Sequence, residues 1–190
     1  MNRVTVPNGR PESLPTFAYH PDPIATGSIV PSRDTCECCG RARGYEYTGP
    51  AYAVRDLDML CPWCIADGPA HAIFDVEFAD RDGIGDHGIW GTVPDEIADT
   101  LIRRTPGFCD WQQERWWVCC NDAAAFLGRA GIQELEAHGV DAVAAIRADC
   151  GLAGAAWDTY AGALDRDAGP TAYVFRCRHC RKLGGYSDSH

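Results

Sequence analysis

The sequence predicts an α+β fold in which zinc-ribbon-like β-hairpins pack against a small helical region. Two C-x-x-C motifs, Cys36–Cys39 and Cys61–Cys64, enclose a segment of alternating tyrosines. A third C-x-x-C motif, Cys177–Cys180, lies between two segments with the composition of β-strands. Residues 94–164 instead carry apolar residues at helical spacing. Because neither cysteine-rich region has enough apolar residues for its own core, we expect the helices to cover the hairpins.

The segment before the first motif is expected to be extended. Three prolines restrict the backbone of Leu14–Ile29, because each one fixes its own φ and limits the residue before it. Phe17, Tyr19 and Ile24 are predicted to anchor this segment to the body of the protein. His20 is either a ligand or base, or a packing histidine in a fixed loop, and we favour packing.

One hairpin and one short helix are predicted around the first two motifs. Gly44–Val54 carries tyrosines on both sides of a turn at Thr48–Pro50, which is typical of a β-hairpin. After the second motif, Asp67 is expected to cap a short helix that ends near Phe74.

The middle of the chain predicts helices. Pro94 marks a helix start, and the acidic residues that follow it suit the positive end of a helix running to about Arg103. Asp122 is expected to cap a short helix through Leu127. Further apolar periodicity predicts helices at Gly131–His138, Val140–Ala148 and Leu152–Leu164.

Strands are predicted beside the remaining cysteines. Trp116–Cys120 combines aromatic and β-branched residues, so we favour a short strand over the end of a helix. Thr171–Cys177 has the composition of a strand, and Leu183–Tyr186 is its expected return strand.

Length and charge limit the class of protein and its partners. A chain of 190 residues suits one domain, expected at 14–188 after a disordered lead at 1–13. Within it we expect a zinc-ribbon part at about 30–66, a helical part at about 94–164 and a C-terminal hairpin at about 171–187. The net charge of −10 disfavours nucleic acid, and no apolar run suits a membrane span. Eleven cysteines without a signal peptide indicate reduced thiols in the cytoplasm.

The first two motifs predict a structural zinc site. Two C-x-x-C pairs separated by 21 residues have the spacing of a tetrahedral four-cysteine site, with Cys36, Cys39, Cys61 and Cys64 as ligands. Cys38 is the spare thiol of this region.

A second zinc site is predicted, but the sequence assigns only three of its four ligands. The motif Cys177–Cys180 supplies two ligands, and we assign Cys120 as a third because it precedes a predicted turn. Cys119 and Cys109 are candidates for the fourth. Neighbouring residues of a strand face opposite ways, so Cys119 and Cys120 are not expected to bind the same ion. The alternative is that these cysteines are buried apolar residues.

Two catalytic alternatives use the same residues. The sequence C-P-W-C at 61–64 is similar to a thiol–disulfide motif, although that role would leave Cys36–Cys39 without a purpose. An incomplete second site would keep a position open for chemistry, with Glu114 or His179 as the acid–base group. A nucleophile motif and a phosphate-binding glycine loop are both absent from the sequence.

Several long motifs occur in the order found in one bacterial family. They are L-P-x-F-x-Y-H-P-D-P-I-x-T-G-S-I at 14–29, C-x-C-C-G at 36–40, Y-T-G-P-x-Y at 47–52, C-P-W-C-I-A-D-G at 61–68, R-T-P-G-F-x-x-W-Q-Q-E-x-W at 104–116, A-F-L-G at 125–128 and Y-x-F-R-C-x-H-C at 173–180. Over about 14–188 the chain therefore resembles the CbrC family. That family has His at the position of Cys119 and often Cys at that of Ala124, so a second metal site would have changed composition here.

The resemblance implies a role in a bacterial stress or colicin-tolerance response, with no agreed enzymatic activity. We expect a zinc-stabilised, non-enzymatic binding module whose partner is an unknown protein. Its partner surface is expected on the N-terminal segment Leu14–Ile29 and the tryptophan-rich stretch Arg104–Gly128. The alternative function is an enzyme that uses an open second metal site or a reactive cysteine.

Overall fold

A computed structural model describes residues 12–189 of the chain. These residues form helices and small antiparallel sheets, which confirms the predicted α+β class. In chain order the elements are β1 Ile29–Pro31, β2 Tyr45–Tyr47, α1 Pro62–Ala66, α2 Pro69–Phe74, α3 Asp95–Arg104, β3 Val118–Cys119, β4 Asp122–Ala123, β5 Ala125–Ala130, α4 Ile132–Ala137, α5 Val140–Cys150, α6 Gly154–Ala163, β6 Thr171–Arg176 and β7 Leu183–Asp188. The predicted disordered lead falls mostly on residues 1–11, outside the described residues.

A three-stranded antiparallel sheet, in the order β5-β6-β7, lies at the centre of the C-terminal half. The central strand β6 is buried on both faces because its side chains alternate between two hydrophobic clusters. Tyr173 and Phe175 enter an aromatic cluster, whereas Ala172 and Val174 pack under the helices. The predicted strand at Thr171–Cys177 and its return strand are therefore confirmed.

The aromatic cluster holds the β3–β4 hairpin against this sheet. Phe108 stacks on Phe126 with ring centroids 3.9 Å apart, and Trp116 is almost fully buried beside them. The indole Nε1 of Trp116 donates a hydrogen bond to the carbonyl of Ala124 at 2.8 Å. This contact joins the segment just before β3 to the residue directly after β4.

Helices α4, α5 and α6 cover the opposite face of the sheet, as the helical pattern predicted. Leu135, Ile146 and Trp157 form their buried face and meet Val174 of β6. The helix predicted after Pro94 is present as α3, whose Leu101 and Ile102 are fully buried.

The N-terminal segment lies along the edge of β5. The backbone N–H of Phe126 donates to the carbonyl of Tyr19 at 2.8 Å, and Phe17 and Tyr19 are buried as predicted. Ile24 is 44% exposed, so its predicted anchoring role is wrong. His20 is fully buried as a packing histidine, because both ring nitrogens lie within hydrogen-bond distance of protein oxygens.

The predicted hairpin between the first two motifs is wrong in its pairing. β2 is present, but it pairs with β1 in the register Val30 with Glu46. The segment after the turn pairs elsewhere, through a bridge between Tyr52 and Glu77. The phenol of Tyr47 donates to the carbonyl of Pro50 at 2.6 Å, which fixes the turn without a return strand.

Two predicted helix caps are also wrong. Asp67 ends α1, and α2 starts independently at Pro69 after Gly68 with φ +90°. Asp122 begins a strand, and the segment predicted to be helical consists of β4 and the first half of β5. Pairing with β6 overrides the helical preference of the alanines in this segment.

Candidate metal centres

The first cluster contains the four cysteines that the motif spacing predicts. The sulfurs of Cys36, Cys39, Cys61 and Cys64 all lie within 4.8 Å of one another. Three of the sulfur–sulfur distances are 3.5, 3.8 and 3.8 Å. Four sulfurs held about 2.3 Å from a zinc ion in a tetrahedron lie about 3.8 Å apart. The cluster therefore has the size of a tetrathiolate zinc site.

A tight turn presents the first pair of sulfurs. The backbone N–H of Cys36 donates to the carbonyl of Arg41 at 3.0 Å, and the N–H of Gly40 donates to the carbonyl of Cys36 at 2.8 Å. Gly40 has φ +66°, a conformation that glycine adopts without steric cost. The glycine directly after the second cysteine thus closes the knuckle.

The start of α1 presents the second pair. Cys61 is the N-cap of α1, and Pro62 occupies the first helical position. The N–H of Cys61 donates to the sulfur of Cys36 at 3.3 Å, which ties the helix start to the first knuckle. Only Cys39 of the four is exposed.

In this cluster, ionisation of one thiol disfavours ionisation of its neighbour. The hydrogen bond from Cys61 lowers the pKa of Cys36 to about 4, and the same bond raises the pKa of Cys61 above its ordinary value. Neighbouring thiols therefore cannot all ionise together without a cation to compensate their charges. The donor set fits a soft divalent metal such as zinc.

The second cluster contains the three predicted cysteines and one more. The sulfurs of Cys119, Cys120, Cys177 and Cys180 all lie within 4.8 Å of one another. The sulfur of Cys119 is 3.8 Å from that of Cys120 and 3.7 Å from that of Cys180. Cys119 is thus the fourth member, whereas Cys109 belongs to neither cluster.

The expectation that Cys119 and Cys120 face opposite ways is wrong. Cys119 ends β3 and pairs with Asp122, so Cys120 and Asn121 form a two-residue hairpin turn. Both turn residues have positive φ, at +56° and +57°, which is the pattern of a type I′ turn. Strand alternation ends at Cys119, and the turn brings the next sulfur back to the same side. The asparagine after the two cysteines was the available sequence signal.

The C-terminal knuckle repeats the geometry of the first one. The N–H of Cys177 donates to the carbonyl of Lys182 at 2.8 Å, as Cys36 does five residues ahead. Arg181 has φ +66° at the position that Gly40 occupies in the first knuckle. The N–H of Cys180 donates to the sulfur of Cys177 at 3.4 Å. Two C-x-x-C motifs distant in sequence therefore fold into the same turn.

A buried carboxylate braces the second cluster from the side. Asp122 accepts hydrogen bonds from Tyr19 at 3.0 Å and from Arg178 at 2.8 Å, and its Oδ2 lies 2.7 Å from His179 Nε2. The guanidinium of Arg178 also lies 4.6 Å from the centre of the Tyr19 ring. His179, a candidate acid–base group, is therefore held by a carboxylate that also fixes the knuckle.

The other candidate groups lie outside both clusters. Glu114 is buried, and neither of its carboxyl oxygens has a hydrogen-bond partner within the described residues. Burial, and next the nearby Asp110, hold the pKa of Glu114 well above its usual range. Burial also raises the pKa of Cys38, which is not among the four grouped cysteines beside it.

Fold and clusters together define the class: an α+β protein with two four-cysteine groups that could each hold a metal ion. The chain belongs to UPF0167, an uncharacterised protein family whose sequence model matches residues 14–189. It is 44% identical over 169 residues to a UPF0167 protein of Pseudomonas aeruginosa, which covers 88% of this chain and 92% of the relative. UPF0167 proteins of Mycobacterium bovis and Mycobacterium tuberculosis are each 42% identical over 187 residues, covering 94% of this chain and 95% of the relative.

No solved structure matches the chain. Within residues 12–189, none of the helices has the length and apolar character needed to cross a membrane.

Proposed function

We propose that this protein binds two zinc ions through two tetracysteine sites and works as a non-enzymatic binding module. The observation that carries the proposal is the presence of two separate groups of four sulfurs, each with all members within 4.8 Å. In both groups, backbone hydrogen bonds close a C-x-x-C turn, and its two sulfurs meet two more from a distant part of the chain. Sites of this kind stabilise a fold because metal binding is coupled to folding.

The number of sulfurs supports a structural role for both ions. A catalytic zinc ion keeps one coordination position for water or substrate, usually beside three protein ligands. The enzymatic alternative needs such a position at the second site. Cys119 supplies a fourth sulfur there, so the geometry favours two closed shells.

The cellular role is proposed from the sequence resemblance. We propose that the UPF0167 and CbrC designations describe the same family, and that the protein recognises a partner protein in a bacterial stress response. Thiolate ligands require reduced cysteines, which supports the expected cytoplasmic location. A role in colicin tolerance stays a prediction.

Zinc content tests the proposal. Protein purified without chelator should contain about two zinc ions per chain by native mass spectrometry, as two four-cysteine sites require. Cys177→Ser should lower the content to about one zinc ion, because it removes a ligand of the second site only. Cys150→Ser is the matched control, since Cys150 lies outside both clusters, and it should keep both ions.

Two outcomes contradict the proposal. A content of about one zinc ion that Cys177→Ser leaves unchanged would mean that the second site does not bind metal. Cys61 and Cys64 joined in a disulfide in protein without metal would exclude the first site. Cys36→Ser should also lower solubility and thermal stability, because it removes a ligand of the first site that is buried in the hydrophobic core.

A further inference from the structure

An open groove with a volume of about 610 Å³ lies between α5 and β7. The indoles of Trp90 and Trp117 line it together with the small side chains of Ala144 and Ala148. This volume falls within the range of about 300–1,000 Å³ that is usual for ligand pockets. The groove is therefore large enough to receive one or two side chains of another molecule.

The sequence of β7 creates the groove. Trp117 lies against Gly184, where an added Cβ would come within 2.1 Å of the indole ring. Any other residue at this position would push the indole away from the sheet. On the opposite side, Ala144 and Ala148 are one helical turn apart on α5 and both are exposed. Short residues on both elements thus leave the aromatic wall accessible.

Beside the groove, Trp90 and the buried Tyr186 already hold one guanidinium group. Arg115 lies 4.2 Å from the ring centre of Tyr186 and 5.4 Å from that of Trp90. Its nitrogens are 3.2 Å from a carboxylate oxygen of Asp86 and 3.9 Å from one of Asp149. Aromatic faces with adjacent carboxylates are the surroundings that proteins use to hold organic cations.

The charges that line the groove favour a second cation. Asp141 and Asp149 contribute two carboxylates, and within residues 12–189 Lys182 is the only basic residue that lines the groove. Asp149 shares Arg115 with Asp86, whereas Asp141 forms no ion pair within residues 12–189. The whole chain adds a net charge of −10, which attracts cationic partners over longer distances.

We propose that this groove binds a peptide segment of a partner protein that presents an arginine or lysine side chain next to an apolar one. The proposal rests on the binding function proposed above and names its binding face. The cation would lie between the indoles and Asp141, and the apolar neighbour would cover Ala144 and Ala148. Of the tryptophan-rich stretch predicted as partner surface, Trp117 lines this groove, and Trp90 adds a second indole from outside that stretch.

Nuclear magnetic resonance of the zinc-loaded full chain tests the proposal with two capped tripeptides. Acetyl-Leu-Arg-Leu-amide should shift the indole N–H signals of Trp90 and Trp117 and the amide signals of Gly184 and Gly185. We expect saturation at about millimolar concentration, since one short contact supplies only about 4 kcal/mol. Acetyl-Leu-Glu-Leu-amide is the matched probe, and it should bind at least about fivefold more weakly because its charge is reversed.

Two pairs of variants locate the binding. Ala148→Leu should weaken the arginine peptide at least about tenfold by filling the groove, whereas the equally exposed Ala155→Leu on α6 should have no effect. Asp141→Asn should weaken it by about threefold, and Asp158→Asn on α6 should not. Each control has the same substitution on a helix that does not line the groove.

Three results would overturn the proposal: no saturable shift with the arginine peptide, equal binding of both peptides, or binding unaffected by Ala148→Leu. Zinc content of the same samples keeps this test separate from the proposed metal sites. Two zinc ions per chain without peptide binding would contradict the groove proposal and still agree with two metal sites. Peptide binding by protein that holds fewer than two zinc ions would support the groove and contradict the proposal of two metal sites.

Discussion

At the scale of single residues, His20 fixes the N-terminal segment to the turn before the aromatic cluster. Its Nδ1 lies 2.7 Å from the carbonyl oxygen of Pro106, and its Nε2 lies 2.6 Å from Oγ1 of Thr26. Burial lowers the pKa of His20 from its ordinary value of 6.5 to about 4. The imidazole is therefore neutral in the folded protein at physiological pH.

Acidification should destabilise the fold through His20. Below about pH 6.5 the unfolded chain binds a proton that the folded chain does not, so stability is lost as the pH falls toward 4. Between about pH 7.5 and about pH 5.5 the loss should be roughly 1 kcal/mol. Urea unfolding of the wild type and His20→Gln at both pH values measures it. Loss of zinc at low pH should destabilise both proteins equally, so the difference between them reports on His20 alone. If the free energy of unfolding falls equally in both, the pH dependence does not come from His20.

Glu114 should give a pH dependence of the opposite sign. Its pKa is raised in the folded protein, so the unfolded chain releases a proton above about pH 4.5 that the folded chain retains. Stability is then lost as the pH rises, whereas Glu114→Gln keeps the shape of the side chain without the titration. The free energy of unfolding of the variant should exceed that of the wild type increasingly between about pH 5 and about pH 8. A constant difference over this range would show that Glu114 does not titrate there.

At the scale of elements, the C-x-x-C pairs and Cys120 could be predicted as ligands from the sequence, whereas the pairing of Cys119 with Cys120 could not. A C-x-x-C motif closes its own turn, so its spacing alone identifies two ligands. The sulfurs of Cys119 and Cys120 lie on the same side because the turn residues Cys120 and Asn121 both have positive φ. That conformation depends on pairing between β3 and β4, which composition alone does not reveal.

The Cys120–Asn121 turn should control the second metal site specifically. Asn121→Ala places a Cβ-bearing residue without a compensating amide at φ +57°, which costs about 1 kcal/mol. We expect about fivefold weaker binding of one of the two zinc ions in competition with a chromophoric chelator. Asn121→Gly tolerates the turn and is the matched control. Equal weakening of both ions by Asn121→Ala would refute this local role.

The incorrect predictions among the elements have a common cause. Asp122 has the character of a helix cap, but Tyr19 and Arg178 bind its carboxylate from distant parts of the chain. Tyr47 has the alternation of a hairpin, but β2 pairs with β1. Local sequence preference predicted the helices that cover the sheet correctly. It failed where a distant strand or ion pair competes with the local preference.

At the scale of the whole molecule, each of the two clusters joins segments that are far apart in sequence. The first combines a knuckle with the start of α1, and the second combines the β3–β4 hairpin with the turn between β6 and β7. The single domain expected over residues 14–188 stays a prediction. Two closed metal sites would explain how short strands and helices of five or six residues are held in place.

Zinc K-edge X-ray absorption of the purified chain tests the central claim most directly. If both ions have four thiolate ligands, the spectrum should fit four sulfurs per zinc at about 2.3 Å, with no nitrogen or oxygen neighbour. A shell of nitrogen or oxygen at about 2.0 Å, with fewer than four sulfurs per zinc, would contradict the account. Such a result would mean that at least one ion has a ligand other than cysteine.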